Sequence, residues 1–330
     1  MNPNGDMTAL ASISARGPQP RFAPRQFAAA LLCIGVLAGC ASLPKGELQT
    51  LGSEVVHEKI DFSTLDVNAK RAKAAYATPA QIRAAYPKTV VVATPGGRDV
   101  QYFIEQDNKA KVQYLVVRGT MDDKTLSEDF DAKVRDDRAT KIPIHTGFDQ
   151  DARAVWKDAQ PYLKKGYQTY LVGHSLGGAV AAVLGIYMIE DGYKVDKIYT
   201  YGQPRFTTSA GVSQLGFLPL MRVVDENDLV PLLPPGVMIN KKFGPYQQVG
   251  PEVILLQGPD YVYLPGPDAS QLSLGEFWRD LAVADLKDHK IDNYIRRSED
   301  KITGNNEVAY NSREAYVAKK KTVATLKSRQ

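Results

Sequence analysis

The sequence predicts an α/β fold with a mostly parallel central sheet flanked by helices. Three observations carry this. Between residues 148 and 224, short β-branched or apolar stretches alternate with helical ones, the order that produces crossover connections between parallel strands. The stretch 175–190 is Ala-rich, with small and apolar residues on most of its faces, so that helix is expected to be buried. Of 330 residues, 44% are hydrophobic and 24% charged, the composition of a globular chain. It excludes a mainly disordered chain, a collagen-like fibre and a multi-span membrane protein. The 41 basic and 37 acidic residues leave a net charge of +4 spread along the chain, too weak a bias for a nucleic-acid partner.

The elements follow in order. Residues 63–86 are rich in Ala and Lys and predict one or two helices, with Ser63 as a possible cap and Pro79 as an interruption. The stretch 89–93 is β-branched, and Pro95-Gly96-Gly97 marks a turn. Strands at 100–105 and 112–117 are spaced as an antiparallel meander. A helix is expected over 148–165, a strand over 167–172, the buried helix over 175–190, and strands over 197–201 and 218–224. A hairpin is expected from 253–256 and 261–264 around Gly258-Pro259-Asp260, then helices over 274–284 and 289–297. Residues 301–330 are polar and Lys-rich, expected to be a solvated tail.

The N-terminus carries an export signal by composition. Arg16, Arg21 and Arg25 precede an apolar run at 27–39, which is too short to span a bilayer as a stable helix. The ending Leu37-Ala38-Gly39-Cys40 resembles the lipobox of bacterial lipoproteins. That resemblance implies cleavage of a signal peptide, 1–39, and acylation of Cys40 in the cell envelope. The absence of Asp after Cys40 favours the outer membrane. Residues 40–62 are then a polar tether, 63–300 the folded domain and 301–330 the tail. Cys33 leaves with the signal, so no disulfide and no Cys-rich metal site is expected. Nothing in the sequence specifies an oligomeric state.

The chemistry is concentrated at Gly173-His174-Ser175-Leu176-Gly177. The pattern G-x-S-x-G is common on its own. Here it follows a strand and opens a helix, the setting of a nucleophile elbow. A serine in so tight a turn needs side-chain-free neighbours two residues away, and Gly173 and Gly177 supply them. The helix N-terminus directs free N–H groups at the same spot, favouring negative charge there. On such a fold the acid and then the base follow the serine in the chain. His289 is the one histidine after Ser175, and His174 should point away from the nucleophile. Asp225 and Asp228 both follow the strand 218–224, and spacing does not choose between them.

Several segments, in order, resemble the class 3 lipase family of α/β-hydrolases. They are Val116-Val117-Arg118-Gly119-Thr120, Ile144-His145-Thr146-Gly147-Phe148, the elbow, Thr200-Tyr201-Gly202-Gln203-Pro204-Arg205, and Asp228-Leu229-Val230-Pro231. Val249–Leu255 and the late Asp288-His289 extend the likeness to roughly residues 85–298. The resemblance implies an α/β-hydrolase fold and a triad of Ser175, Asp228 and His289. It implies an oxyanion hole from the Leu176 N–H and from Thr120 through N–H and hydroxyl. Arg118, His145, Gln203 and Arg205 match positions expected to support the site. The implied reaction is hydrolysis of an acylglycerol or another lipid or small ester through an acyl-enzyme, with no metal or organic cofactor. A phospholipase A1 or acyltransferase with the same triad, or an inactive lipid-binding envelope protein, are the alternatives. Residues 121–133, where fungal members carry a lipid-facing lid, are charged here, and Met121, Leu126 and Phe130 are the large apolar residues among them. Interfacial activation is therefore not expected.

Overall fold

In the computed structural model the described residues are 59–120, 133–137, 140–235, 239–266 and 286–310. They lie within one compact unit, Gly52–Gln330. The signal peptide with Cys40, the stretch 121–132, the expected helix at 274–284 and the Lys-rich end fall outside the described residues.

Helix α1, Phe62–Ala74, is capped by Asp61, not Ser63: the Asp61 carboxylate accepts from the N–H of Ser63 at 3.0 Å and of Thr64 at 3.2 Å. Pro79 interrupts by opening a second helix, α2, Pro79–Ala85. Its N-cap is Thr78, in a reciprocal capping box with Gln81. Then come β1, Thr89–Ala93, β2, Tyr102–Asp107, and β3, Val112–Val117, in the expected antiparallel meander. Short strands β4, Val134–Asp136, and β5, Pro143–His145, precede α3, Thr146–Ala159. That helix is shorter than expected because the chain tightens into a 3-10 turn at Gln160–Tyr162, where Pro161 has no N–H to donate.

The α/β portion is β6, Gln168–His174, α4, Leu176–Glu190, β7, Lys194–Tyr201, β8, Thr207–Thr208, α5, Ser209–Val212, and β9, Leu220–Asp225. After it come β10, Ile239–Asn240, β11, Gly244–Gln247, β12, Glu252–Leu255, β13, Asp260–Leu264, α6, Ile291–Glu299, and β14, Asn306–Glu307. Among the described residues the main sheet runs β1-β2-β3-β6-β7-β9-β12-β13-β14. The steps from β3 through β6, β7 and β9 to β12 are all parallel. β12 and β13 form the expected antiparallel hairpin. A second, antiparallel sheet runs β10-β11-β8-β5-β4 and was not anticipated, its strands being two to four residues long.

Alternation along the strands buries two layers. Tyr102, Ile104, Leu115, Val117 and Leu171 join the α3 and α4 side, while Phe103, Val116 and Val172 join the α1 and α6 side. Helix α4 is buried continuously from Gly177 to Met188, in keeping with its uniformly apolar sequence. Two expected boundaries move. Ile60 and Phe62, assigned to the tether, are buried in the core. Residues 301–310, assigned to the tail, enter the fold: β14 pairs with β13, and the buried Lys301 ammonium donates to the carbonyls of Leu256 and Gly258 at 2.8 Å and Arg297 at 3.0 Å.

Candidate active site

Ser175 stands between the end of β6 and the start of α4 with φ 58° and ψ −134°. For a side-chain-bearing residue that backbone costs on the order of 1–3 kcal/mol, held in place by the surrounding sheet and helix. Its N–H donates to Tyr201 O on β7 at 2.9 Å, and its carbonyl accepts from Gly178 N at 2.9 Å. The neighbouring glycines have distinct reasons. A Cβ on Gly173 would collide with the Gly177 backbone, and one on Gly177 would collide with the Val117 and Arg118 backbone at the end of β3. Gly119 is equally confined, since a Cβ there would lie 2.9 Å from the Ser175 Cβ and 2.6 Å from the His174 carbonyl. The chain Gly119-Thr120 therefore passes directly beside the serine. Leu176, partly buried, is the first residue of α4, so its N–H has no acceptor within the helix.

Of the two candidate carboxylates, Asp228 is the one that meets His289. His289 Nδ1 lies 2.7 Å from Asp228 Oδ2, both residues buried. Asp228 Oδ1 accepts from Val230 N at 2.8 Å, and Oδ2 also accepts from the phenol of Tyr294 on α6. Burial and the Asp228 and Asp225 charges hold that phenol well above its usual range, so it stays a donor. Asp225 instead lies 2.7 Å from Arg297 Nε, and burial pushes its carboxyl up to about 7 against the pull of that guanidinium. His289 Nε2 and Ser175 Oγ are both buried and have no hydrogen-bond partner among the described residues. His289 closes a 3-10 turn, Leu286–His289, rather than opening the helix expected from 289.

Gly202 packs against this group. Its φ is 58°, and a Cβ there would lie 2.7 Å from Asp228 Oδ2, 2.8 Å from the Tyr294 hydroxyl and 2.9 Å from His289 Cε1. Since Tyr201 O receives the Ser175 N–H, residues 201 and 202 bridge the serine to the Asp228–His289 pair. Gln248 fixes the adjoining loop by donating to Pro231 O at 2.8 Å and Gln203 O at 3.1 Å. Arg205, buried, donates to Pro234 O at 2.8 Å. His145, also buried, packs its ring 4.3 Å from Phe148, and Arg118 pairs with the Asp99 carboxylate.

His174 makes ring contacts with His289 and Tyr76 and none with the Ser175 hydroxyl. It is buried, and its ring lies 4.6 Å from that of His289 at 28°. Its ring nitrogens meet Tyr76 and the His289 carbonyl. Sequence reasoning missed Tyr294, because a tyrosine five residues past the base carries no local signal. The sequence around Gly202 carries no sign of its contact with Asp228 and His289.

Residues 114–238 match the family described as Lipase (class 3). A secreted mono- and diacylglycerol lipase of Fusarium solani is 34% identical over 173 residues, 49% of each chain. A lipase of Rhizopus niveus is 29% identical over 151 residues, 42% of this chain and 38% of the relative. The aligned region thus spans about half or less of the length of these relatives. In structure, a lipase from Rhizopus microsporus var. chinensis superposes with a TM-score of 0.58 at 21% identity, covering 71% of this chain and 87% of that one. The fold is that of the α/β-hydrolases, and through residues 114–238 this chain is similar to the class 3 lipases.

Proposed function

We propose that this chain is a serine ester hydrolase that cleaves acylglycerols or related lipid esters through Ser175, His289 and Asp228. The observation that carries the reading is the buried Asp228–His289 pair at 2.7 Å, beside a serine held at an otherwise unfavourable φ of 58°. That backbone strain has no structural use unless the Oγ must project. His289 Nδ1–H donates to Asp228, which leaves Nε2 bare to take the Ser175 proton as Oγ attacks the ester carbonyl. Asp228 stabilises the resulting imidazolium. The N–H groups of Leu176 and Thr120, with the Thr120 hydroxyl, receive the oxyanion, and losing one such donor typically costs about 10²–10³ in rate. The imidazolium then protonates the leaving alcohol. Water, deprotonated by His289, hydrolyses the acyl-enzyme. The lipid-ester substrate class is supported by the match of residues 114–238 to the class 3 lipases and by the relative whose name specifies mono- and diacylglycerols. The proposal includes anchoring of the mature chain to the envelope membrane through Cys40.

The test is hydrolysis of p-nitrophenyl esters of increasing acyl length by the full chain in detergent, beside Ser175→Ala and His289→Ala. Each variant should lose on the order of 10³-fold or more in kcat, the scale of triad removal. Undiminished hydrolysis by folded Ser175→Ala would overturn the reading.

A further inference from the structure

Resting on that reading, the surroundings of the base point to a residue with a task of its own. His289 sits on a four-residue 3-10 turn outside the sheet ladder, whereas the geometry it must keep is tight. His174 is the last residue of β6, a strand with parallel neighbours on both sides, and it pairs with Tyr201 of β7. Its Nε2 is 2.8 Å from the His289 main-chain oxygen, and its Nδ1 is 2.8 Å from the Tyr76 hydroxyl. A carbonyl oxygen can only accept, so Nε2 must carry the hydrogen. Nδ1 is then bare, and Tyr76 must donate to it. The tautomer of His174 is thus set by its two partners.

The ring stack adds a second constraint. The His289 ring rests on His174 at 4.6 Å, and Tyr294 meets the other histidine edge-on at 5.9 Å. Tyr76, His289 and Tyr294 are the titratable groups that contact His174 in this way. When His289 takes up the serine proton, a second cation at this distance would oppose it. Burial, and then the charge of His289, hold His174 well below the usual histidine range, so it stays neutral.

We infer that His174 is a positioning residue for the base: as the neutral Nε2–H tautomer fixed by Tyr76, it holds the main chain and ring of His289 in register with Ser175. It ties the end of a sheet strand to a short 3-10 turn at the point where an ångström matters.

The experiment uses the full chain in detergent as wild type, His174→Ala, His174→Gln and Tyr76→Phe. Diethyl p-nitrophenyl phosphate labels the serine and counts competent sites, so that misfolded protein drops out of every rate. In His174→Ala, kcat per labelled site should fall roughly 10–100-fold, the usual range for losing an orienting partner, with KM within about twofold. Water entering beside His289 favours its imidazolium, so the low-pH limb of kcat/KM should move to higher pH. In His174→Gln the amide reaches the same carbonyl, and kcat should recover at least about threefold over Ala. Tyr76→Phe should fall between wild type and Ala. Failure of the wild type to be labelled overturns the hydrolase reading itself. Labelling of the wild type, with Gln no better than Ala or with the low-pH limb unmoved, overturns the positioning role alone.

Discussion

Tyr294 donates its phenol to the same Oδ2 of Asp228 that His289 engages through Nδ1. With Val230 N on Oδ1, three donors from three different segments converge on one buried carboxylate and fix its plane. Removing the phenol frees that carboxylate to rotate. Tyr294→Phe should therefore lower kcat about 3–10-fold with KM nearly unchanged, since a lost orienting bond acts on the transition state more than on binding. Steady-state kinetics at saturating ester check this, and wild-type kcat would count against the role of the phenol.

Asp225 and Asp228 are three residues apart and chemically alike, yet Asp228 meets the base and Asp225 meets Arg297. Asp228→Asn should cost on the order of 10⁴ in kcat, the scale of losing the orienting acid of a triad. Asp225→Asn should keep kcat within about tenfold and act on stability instead. Parallel kinetics and denaturant titrations separate the two, and a reversed order would exchange their assignments.

At Gly202 two demands coincide: φ of 58° and Asp228, His289 and Tyr294 atoms within 2.7 to 2.9 Å of where a Cβ would stand. Gly202→Ala cannot relax without moving the acid–base pair. A loss of about 10² or more in kcat is expected, in protein whose circular dichroism is native, because small displacements of a catalytic group have that effect. Retention of more than half the activity would show that the pair can shift freely.

His174 also makes stability depend on pH. Its folded pKa lies well below 6.5, so below about that pH the unfolded chain binds a proton that the folded chain does not. Stability contributed by this group is present above 6.5 and is lost as pH falls. The slope is at most about 1.4 kcal/mol per pH unit for one proton. Urea midpoints measured at pH 7.5 and 5.5 should fall with acidification in the wild type, and fall less in His174→Gln. Parallel curves for the two proteins would remove His174 as the source.

The anchoring proposal has a direct readout. Cys40→Ser should shift the chain from the membrane fraction to the soluble fraction and abolish incorporation of labelled palmitate. Unchanged fractionation would mean that Cys40 does not hold the chain to a membrane.

What the sequence made legible is what short-range pattern encodes. The β6–Ser175–α4 turn announces itself because Gly173 and Gly177 must lie next to one another's backbone and that of β3. Helix α4 is visible as a buried helix because it lacks a polar face. The second sheet is not visible, because pairs such as Thr207–Thr208 are too short for an alternation signal. Nor could spacing choose between Asp225 and Asp228; that choice is made by residues 61 and more positions away, at His289 and Tyr294. The contact of His174 with His289 is hidden for a related reason. Strand alternation turns its side chain away from the Ser175 hydroxyl, but the face it turns to is where the base arrives from the other end of the chain.

The uniform apolarity of α4 has a bearing on how the protein is made. From Leu176 to Ile189 the chain carries no charge, and every residue from Gly177 to Met188 is buried. A nascent polypeptide that has emerged only this far has neither β7 nor β9 to lay over it. Until they arrive, the stretch is an adhesive surface of about four helical turns, the kind that collects into aggregates or onto chaperones. Slower completion of the sheet, whether from raised temperature or from a lesion in β7 or β9, will therefore be felt first as lost soluble yield, before any change in turnover per molecule.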